Sequence, residues 1–343
     1  MLEEYETISA TNAKKLRAKK VVYIATICLV ALFLLVVIVL YVVIPIVFML
    51  SFTVQENLMF TRFGLPRDKE YFDIDLVGFK NYYIDVTDID TNKSLSLGVW
   101  HLLPWEIVER YKNDTRRVNF VDILSNTTYD IVLHFHGTAF DYRGYGDSSD
   151  GIMTEMAVNE DCKQVYRWLR SKTNAKIYVW GRSLGASLGL RTAAELSQEN
   201  IVPAGVIVES AFTTMREEIP VHPFGQVYKW LPWLDPTILD PLEKNGFYFD
   251  NSRHIVEIPC PVMMFHAEDD SVIPIKLGRK LSEIAFSRNK TFGEVIYHEI
   301  PAKYGCDHFA LYEYPDLPEA IMGFLDITLR SKTKKRIKKV RSN

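Results

Sequence analysis

The stretch "IYVWGRSLGASLGLRTAAEL", residues 177–196, joins a strand pattern to a helix pattern through Gly181-Arg182-Ser183-Leu184-Gly185. A serine flanked in this way on a strand-to-helix turn is typical of a nucleophile elbow. The small residues permit a sharp turn, which projects the Ser183 hydroxyl from the carboxyl end of a sheet. The same turn makes the backbone N–H of Leu184 an oxyanion donor. The alternative interpretation is a glycine-rich helix start.

A nucleophilic serine needs a histidine base and an acid that orients the histidine. The stretch "MMFHAEDDSVIP", residues 263–274, places Asp270 after a strand pattern and just before a V-I-P phrase. Asp269 is the close second candidate, and an exposed acidic loop is the alternative interpretation. Only two histidines come later in the chain, and His298 falls within the strand pattern "EVIYHEI". We therefore predict His308 as the base and His298 as a packed histidine.

Apolar strand patterns alternate with helix patterns on both sides of the elbow, from "IVLHFH" at 131–136 to "LPEAIMGFLDITL" at 317–329. Such alternation predicts an α/β fold with a mostly parallel sheet that is covered by helices on both faces. We assign one domain to residues 65–330. Within it, residues 213–258 or thereabouts are rich in Pro, Trp and Tyr, which indicates a lid or a binding loop.

The N-terminal part of the chain predicts a membrane anchor. No charged residue occurs between Val21 and Gln55. This uncharged stretch is longer than the ~20 apolar residues that are needed to span a bilayer. We predict an uncleaved transmembrane signal anchor at residues 21–52 and a cytosolic segment at 1–20, because basic residues cluster before the span. The globular part would then lie in the lumen or outside the cell. Four glycosylation sequons beyond the span agree with this orientation: Asn92, Asn113, Asn126 and Asn289.

Composition limits the classes of partner. A formal net charge of -3 and a hydrophobic content of 48% are typical of a globular chain and give no indication of nucleic-acid binding. The basic tail, residues 331–343, is expected to be a solvated disordered end or a contact with anionic lipid head groups. The pair His134 and His136 lacks the continuation of a metal motif, and no phosphate-binding loop is present. We predict neither a metal nor a cofactor.

Several longer motifs carry a specific resemblance, among them "FDYRGYGDS", "VESAFTTMREE", "HPFGQVYKWLPWLDP" and "FHAEDDSVIPIKLGRKL". From about "NYYIDV" and "LGVWHLLP" to "PDLPEAI", the chain resembles the α/β-hydrolase family of lysophosphatidylserine lipases, which are also credited with monoacylglycerol lipase activity. The resemblance implies an α/β-hydrolase fold behind a single-pass anchor in the endoplasmic reticulum membrane, with the domain in the lumen.

The resemblance also assigns roles to residues of this chain. It implies Ser183 as the nucleophile, Asp270 as the orienting acid and His308 as the general base of a serine hydrolase that needs no cofactor. The implied substrates are lysophospholipids or monoacylglycerols. Trp230 and Trp233 of the lid are expected to cradle the acyl chain.

The chain departs from this family within "IVLHFHGTAFDYRGYGDSS", residues 131–149. Only Thr138 and Ala139 separate two strand-like phrases, whereas parallel strands need a crossover of about a dozen residues. Family members carry an asparagine-containing loop, a helix and most of a strand at this place. Without them, Thr138 would have to supply the second oxyanion donor.

We expect "IVLHFHG" to keep a central place in the sheet and "AFDYRG" to become an irregular segment that leads to the next helix. Two functions of different classes remain open at this point. The first is a membrane-anchored lipid hydrolase. The second is a non-catalytic membrane protein, an isoform that retains the triad residues without an assembled oxyanion hole.

Overall fold

The computed structural model describes residues 2–60, 78–111, 119–136 and 142–341, with side chains from residue 14 to residue 329. Thr138 and Asn113, which the sequence analysis singled out, lie outside the described residues.

Two sheets form the framework. An antiparallel hairpin pairs β1 (Phe79–Thr87) with β2 (Ser94–Leu102). A parallel five-stranded sheet follows the chain order β3 to β7. Its strands are β3 (Ile131–Phe135), β4 (Ile177–Arg182), β5 (Gly205–Glu209), β6 (Val262–Ala267) and β7 (Val295–Ile300).

The helices fall into two groups. Before the parallel sheet come α1 (Leu2–Ile38), a π-helical turn (Val39–Val43), α2 (Ile44–Leu50), α3 (Phe52–Met59), α4 (Trp105–Tyr111) and α5 (Phe120–Asn126). Within and after the sheet come α6 (Glu155–Lys172), α7 (Leu184–Gln198), α8 (Met215–Glu218), α9 (Asp240–Lys244), α10 (Asn251–Glu257), α11 (Ile275–Ser287) and α12 (Leu317–Arg341). A π-helical turn (Asp235–Leu239) precedes α9, and 3₁₀ turns lie at Lys290–Phe292, Ala302–Tyr304 and Leu311–Glu313.

Both faces of the parallel sheet are covered, which confirms the predicted fold class. Alternate side chains of a strand point to opposite faces, and β4 follows this rule. Val179 packs into the larger core with residues of α6, α7 and α11. Its neighbour Tyr178 packs into the second core against Phe324 of α12, and its hydroxyl group bonds Thr328 at 2.6 Å. The first four residues of β4, residues 177–180, are apolar, as expected for a strand that is buried on both faces.

The strand β3 keeps its place beside β4, but it is an edge strand. The prediction of a central strand buried on both faces is therefore wrong, and Val132 is 48% exposed. The reason lies in the following segment. Residues 142–154 form turns and irregular structure without a strand, so nothing in these residues pairs with the free side of β3. The first half of "AFDYRG", residues 139–141, lies outside the described residues.

A buried guanidinium fixes these turns. Arg143 has no exposed surface and donates two hydrogen bonds of 2.7 Å to the Asp161 carboxylate on α6. It also bonds Asp88, which follows β1, at 2.5 Å. A buried cation between two carboxylates holds all three groups in place, since removing one partner would leave an uncompensated charge. The turn segment thereby ties the hairpin to α6.

A cleft of about 590 Å³ lies between the hairpin and the free side of β3. Its lining is mainly apolar and includes Leu97 and Val99 of β2, Leu133 of β3, and Val165 of α6. Among the described residues, no strand pairing joins the two sheets across it. The cleft lies where a further strand would join the hairpin to the parallel sheet.

The two ends of the chain are helical. The helical stretch Lys14–Leu50 is long and apolar enough to cross a membrane. At the other end, α12 continues through the basic tail to Arg341, which differs from the disordered end considered above. Lys and Arg are good helix formers, and near a helix C-terminus their charges interact favourably with the helix dipole.

Candidate active site

Ser183 occupies the sharp turn between β4 and α7. Its backbone lies at φ 54° and ψ -124°, a conformation that side chains rarely adopt and that costs on the order of 1–3 kcal/mol. The backbone N–H of Ser183 donates to the carbonyl of Glu209 at the end of β5 at 2.9 Å, which helps to hold the turn. The serine therefore stands at the carboxyl ends of the parallel strands, half-buried, as the elbow motif predicts.

The two glycines of the motif are required by close approach. A Cβ on Gly181 would lie 2.3 Å from the carbonyl oxygen of Gly185 and 2.6 Å from the Cα of Ala186. A Cβ on Gly185 would lie 2.1 Å from the carbonyl oxygen of Phe135 at the end of β3. Since these contacts are with backbone, no side-chain movement relieves them. The elbow thus packs directly against the strand that precedes the shortened connection.

Asp270 and His308 form a buried hydrogen-bonded pair. The Nδ1 atom of His308 lies 2.9 Å from Oδ2 and 3.0 Å from Oδ1 of Asp270. The carboxylate also accepts backbone N–H bonds from Val272 at 3.0 Å and Ile273 at 2.7 Å. Burial acts to raise the pKa of Asp270, but the bond and charge of His308 outweigh it and hold the pKa below its usual value.

The loops that carry Ser183 and His308 meet through their neighbours. The Arg182 guanidinium lies 5.4 Å from the ring centre of Phe309, and the Phe309 ring contacts His308 at 5.0 Å between centroids. Among the described side chains, no hydrogen bond joins Ser183 to His308. Such a bond is often long in a substrate-free enzyme and tightens with substrate.

The comparisons with known proteins follow this geometry. A family model for the alpha/beta hydrolase fold matches residues 118–224. The lysophosphatidylserine lipase ABHD12 of Gallus gallus is 30% identical over 274 residues, which cover 72% of this chain and 70% of the relative. The chain belongs to the ABHD12 family of α/β-hydrolases.

Other relatives and one solved structure show the same similarity in sequence or fold. The ABHD12 lysophosphatidylserine lipase of Danio rerio is 29% identical over 315 residues, which cover 82% of this chain and 80% of the relative. The chain spans about two thirds (66%) of the length of the rat and mouse relatives. Among solved structures, the Pyrococcus furiosus esterase PF2001 covers 73% of this chain and 91% of its own, with a TM-score of 0.49 and 16% identity.

The two alternative site residues fall elsewhere. Asp269 does not bond His308, and its buried Oδ1 atom has no hydrogen-bond partner among the described residues. His298 stacks on Phe265 with ring centroids 5.3 Å apart, and burial lowers its pKa. It is a packed histidine of β7. Besides the Asp270–His308 bond, a second bond joins the two loops that carry these residues: the backbone N–H of Ser271 donates to the Asp307 carboxylate at 2.7 Å.

Of the two predicted oxyanion donors, the structure describes one. Leu184 is buried at the start of α7, where a backbone N–H has no partner within its own helix. Thr138 lies outside the described residues, two positions beyond His136. Among the described residues, no group of three or more His, Cys, Asp or Glu side chains is placed to hold a metal ion.

Two buried groups beside the candidate triad were missed by the sequence analysis. His266, near the end of β6, lies four residues before Asp270. Its Nε2 atom is 2.8 Å from the Ile273 carbonyl and 3.5 Å from Oδ2 of Asp270. Because a carbonyl only accepts, Nε2 carries the proton. The Glu209 side chain accepts a 2.8 Å bond from the Trp180 indole. Burial raises the pKa of Glu209, and the bond from Trp180 and the charges of Arg182 and His308 oppose this.

The remaining predicted residues lie at the surface. Trp230 and Trp233 of the lid are 62% and 38% exposed, and both contact Tyr41 of the N-terminal helical stretch. The sequon residues Asn92, Asn126 and Asn289 are exposed, so each is accessible to modification. Asn92 lies in the β1–β2 turn at φ 55°, a left-handed conformation that asparagine tolerates.

We expect the stability of the protein to depend on pH because of Glu218, at the end of α8. Burial, together with the charge of Asp270, raises its pKa to about 8. Its Oε1 atom is buried and, within the described part of the chain, has no hydrogen-bond partner. The folded state thus retains a proton that the unfolded chain loses near pH 4.5. The free energy of unfolding therefore falls as the pH rises from about 5 to about 8.

Replacing Glu218 by Gln is expected to flatten this slope and to stabilise the protein most at pH 8. Thermal unfolding of the detergent-solubilised protein at pH 5, 6, 7 and 8 measures it. Glu217→Gln is the matched control, since Glu217 is only partly buried and its carboxylate is paired with Lys280 at 2.7 Å. If Glu218→Gln and Glu217→Gln show the same pH slope as the unchanged chain, Glu218 does not carry a proton into the folded state.

Proposed function

We propose that this protein is a membrane-anchored serine hydrolase that cleaves the acyl ester of lysophospholipids or monoacylglycerols. The observation that carries the proposal is the buried Asp270–His308 pair at the same sheet edge as the strained Ser183 elbow. Membership of the ABHD12 family and the names of the curated relatives support a lipid ester as the substrate class.

The proposed mechanism assigns one task to each residue. The Nδ1 atom of His308 faces the Asp270 carboxylate, so the proton of the neutral imidazole is on Nδ1. The Nε2 atom is then unprotonated and can act as the base. His308 removes the Ser183 proton as the hydroxyl oxygen attacks the ester carbonyl, and it returns that proton to the departing alcohol. Water then attacks the acyl-enzyme by the same route and releases the fatty acid. Asp270 stabilises the imidazolium, and the Leu184 N–H donates to the oxyanion.

The proposed location is the endoplasmic reticulum membrane, with the N-terminus in the cytosol and the hydrolase domain in the lumen. The apolar helical stretch Lys14–Leu50 supports a single-pass anchor, and the basic residues before it favour this orientation. Three exposed sequon residues on the domain agree with it: Asn92, Asn126 and Asn289.

We further propose that turnover is reduced by the short connection after β3. In this fold the second oxyanion donor comes from that loop, and removing one such donor costs on the order of 100–1,000-fold in turnover. The open cleft beside β3 supports this proposal, since it lies where a further strand would otherwise join β3 to the hairpin. The non-catalytic alternative predicts no turnover at all.

Labelling with a fluorophosphonate probe tests the proposal. The unchanged chain should form a covalent adduct and release fatty acid from lysophosphatidylserine, whereas Ser183→Ala should do neither. Ser197→Ala is the matched control, since Ser197 lies on α7 and its hydroxyl group only bonds the Ala193 carbonyl of its own helix. Absence of labelling in a chain that is folded by circular dichroism would favour the non-catalytic alternative.

A further inference from the structure

Large apolar side chains are exposed at the tip of the lid. Within residues 224–230, here named the lid tip, Phe224 is 75% exposed, Val227 50% and Trp230 62%. Single exposed apolar residues are ordinary, but a cluster within seven residues of the chain marks an interaction surface. The composition, aromatic and aliphatic with one lysine, is typical of a membrane–water interface.

The lid tip is fixed to the membrane anchor. The ring of Trp230 packs against the ring of Tyr41 at 5.1 Å, and the ring of Tyr228 does so at 6.2 Å. Beyond the tip, the Trp233 indole N–H donates to the Tyr41 carbonyl at 3.0 Å. Pro45, four residues further on, has no N–H that could bond this carbonyl in the α-helical pattern.

The length of the span places Tyr41 at the bilayer surface. The last charged residue before the apolar run is Lys20, so the span begins at Val21. Twenty helical residues at 1.5 Å each cover about 30 Å, the thickness of the hydrocarbon core, and end at Leu40. Tyr41 is the next residue, at the level where aromatic side chains are enriched.

The helix that follows the span lies along the domain. In α2, Pro45 and Phe48 are buried, whereas Val47 is 48% and Leu50 76% exposed on the outer side. The side chain of Gln55 donates to the Phe48 carbonyl at 2.8 Å and accepts from Asn245 at 2.6 Å. One apolar face of α2 is thus held by the domain while the other remains available to lipid.

The other end of the lid lies at the candidate triad. Glu218 and His222 both precede the lid tip, and the His222 N–H donates to the Glu218 carbonyl at 2.9 Å. The segment that leads into the lid leaves the carboxyl end of β5, where the Glu209 carbonyl accepts a 2.9 Å bond from the Ser183 backbone N–H. Burial lowers the pKa of His222, and the charge of His308 acts in the same direction. The lid therefore connects the triad to the point where the anchor leaves the bilayer.

We propose that the lid tip inserts into the bilayer leaflet on the domain's side, next to the transmembrane helix, so that the active site receives its substrate directly from that leaflet. This inference rests on the proposed function, which it deepens by naming the route of the substrate. Phe224, Val227 and Trp230 lie among the lipid head groups and upper acyl chains. The domain is thereby oriented with the carboxyl edge of its sheet toward the membrane.

Depth-dependent quenching tests the insertion without requiring catalysis. The full chain with Cys28→Ser is labelled with a bimane at Val227→Cys and reconstituted into phosphatidylcholine vesicles that contain lipid spin-labelled near the head group. Val202→Cys is the matched control, because Val202 is 45% exposed but precedes β5 at the opposite edge of the sheet. We expect loss of emission at position 227 and none at 202. Equal emission with and without the spin label at 227, or equal quenching at both positions, would overturn the proposal.

A second measurement distinguishes failure of this inference from failure of the proposed function. Phe224→Ser with Val227→Ser should lower the hydrolysis of lysophosphatidylserine in vesicles roughly tenfold, because less apolar surface is buried in the leaflet. Hydrolysis of a water-soluble short-chain ester should not change. Equal loss on both substrates would overturn the inference while leaving the hydrolase intact. If neither substrate is hydrolysed by the unchanged chain, the proposed function fails, and the quenching result alone decides the insertion.

Discussion

Replacing Ser183 by Ala is expected to lower kcat for lysophosphatidylserine by about 10³-fold to 10⁴-fold. A complete serine triad is worth about 10⁶ in turnover, and the missing donor is expected to remove about 100–1,000-fold of the catalysis that the triad supports. The rate enhancement that remains requires the Ser183 hydroxyl as nucleophile, which Ser183→Ala removes. Mass-spectrometric measurement of released fatty acid at saturating substrate gives kcat for each variant.

The same measurement on combined variants separates catalysis from folding. His308→Ala should cost about as much as Ser183→Ala, and the double variant should cost no more, because the two residues act as one unit. Asp270→Asn should also lower kcat, since the amide can donate to Nδ1 and favour the wrong imidazole tautomer. Independent, multiplying losses would contradict a shared mechanism. Asp269→Asn is the matched control, since Asp269 makes no bond to His308 and its replacement should leave kcat within about twofold.

The elements that carry strong local patterns were predictable from the sequence. The strand β4 begins with four apolar residues, α7 follows it with small residues on its packed face, and the glycines of the elbow leave no room for a Cβ. Chain order then selected Asp270 and His308, and their hydrogen bond agrees with that choice. In these cases the prediction needs only the pattern of a few neighbouring residues, or the order in which serine, acid and histidine follow each other along α/β-hydrolase chains.

The features that sequence analysis missed depend on contacts between distant segments. The bond from Trp233 to Tyr41 joins residues 192 positions apart, and no local pattern indicates that these two parts of the chain are in contact. Similarly, the burial of Glu218 depends on the packing of the folded domain, and the charge of the distant Asp270 adds to the rise in its pKa. The edge position of β3 was missed because the apolar pattern of a strand reports its own burial, not the presence of a neighbour. Its half-exposed Val132 reflects the absence of a strand from residues 142–154.

Restoring the missing connection after β3 is expected to raise kcat by about 100–1,000-fold, the cost of one oxyanion donor. The change is an insertion, after Gly137, of the residues that an ABHD12 relative carries between its corresponding H-G and F-D-Y-R-G phrases. The elbow already packs against this end of β3, since Gly185 approaches the carbonyls of Phe135 and His136. A donor on the restored loop would therefore reach the oxyanion position beside Leu184.

The restored strand should also fill the cleft between β2 and β3 and cover apolar side chains such as Val99 and Leu133. Hydrogen exchange should then slow at the backbone amides of β3, which now has a free side, and the midpoint of thermal unfolding should rise. An inserted Gly/Ser segment of equal length is the control, because it restores the length of the connection without a strand or an ordered donor. Equal kcat for the unchanged chain, the restored chain and the control, at matched folded protein, would show that the segment is dispensable. A gain with the Gly/Ser control as large as with the relative's residues would show that chain length, not an ordered oxyanion loop, limits this enzyme.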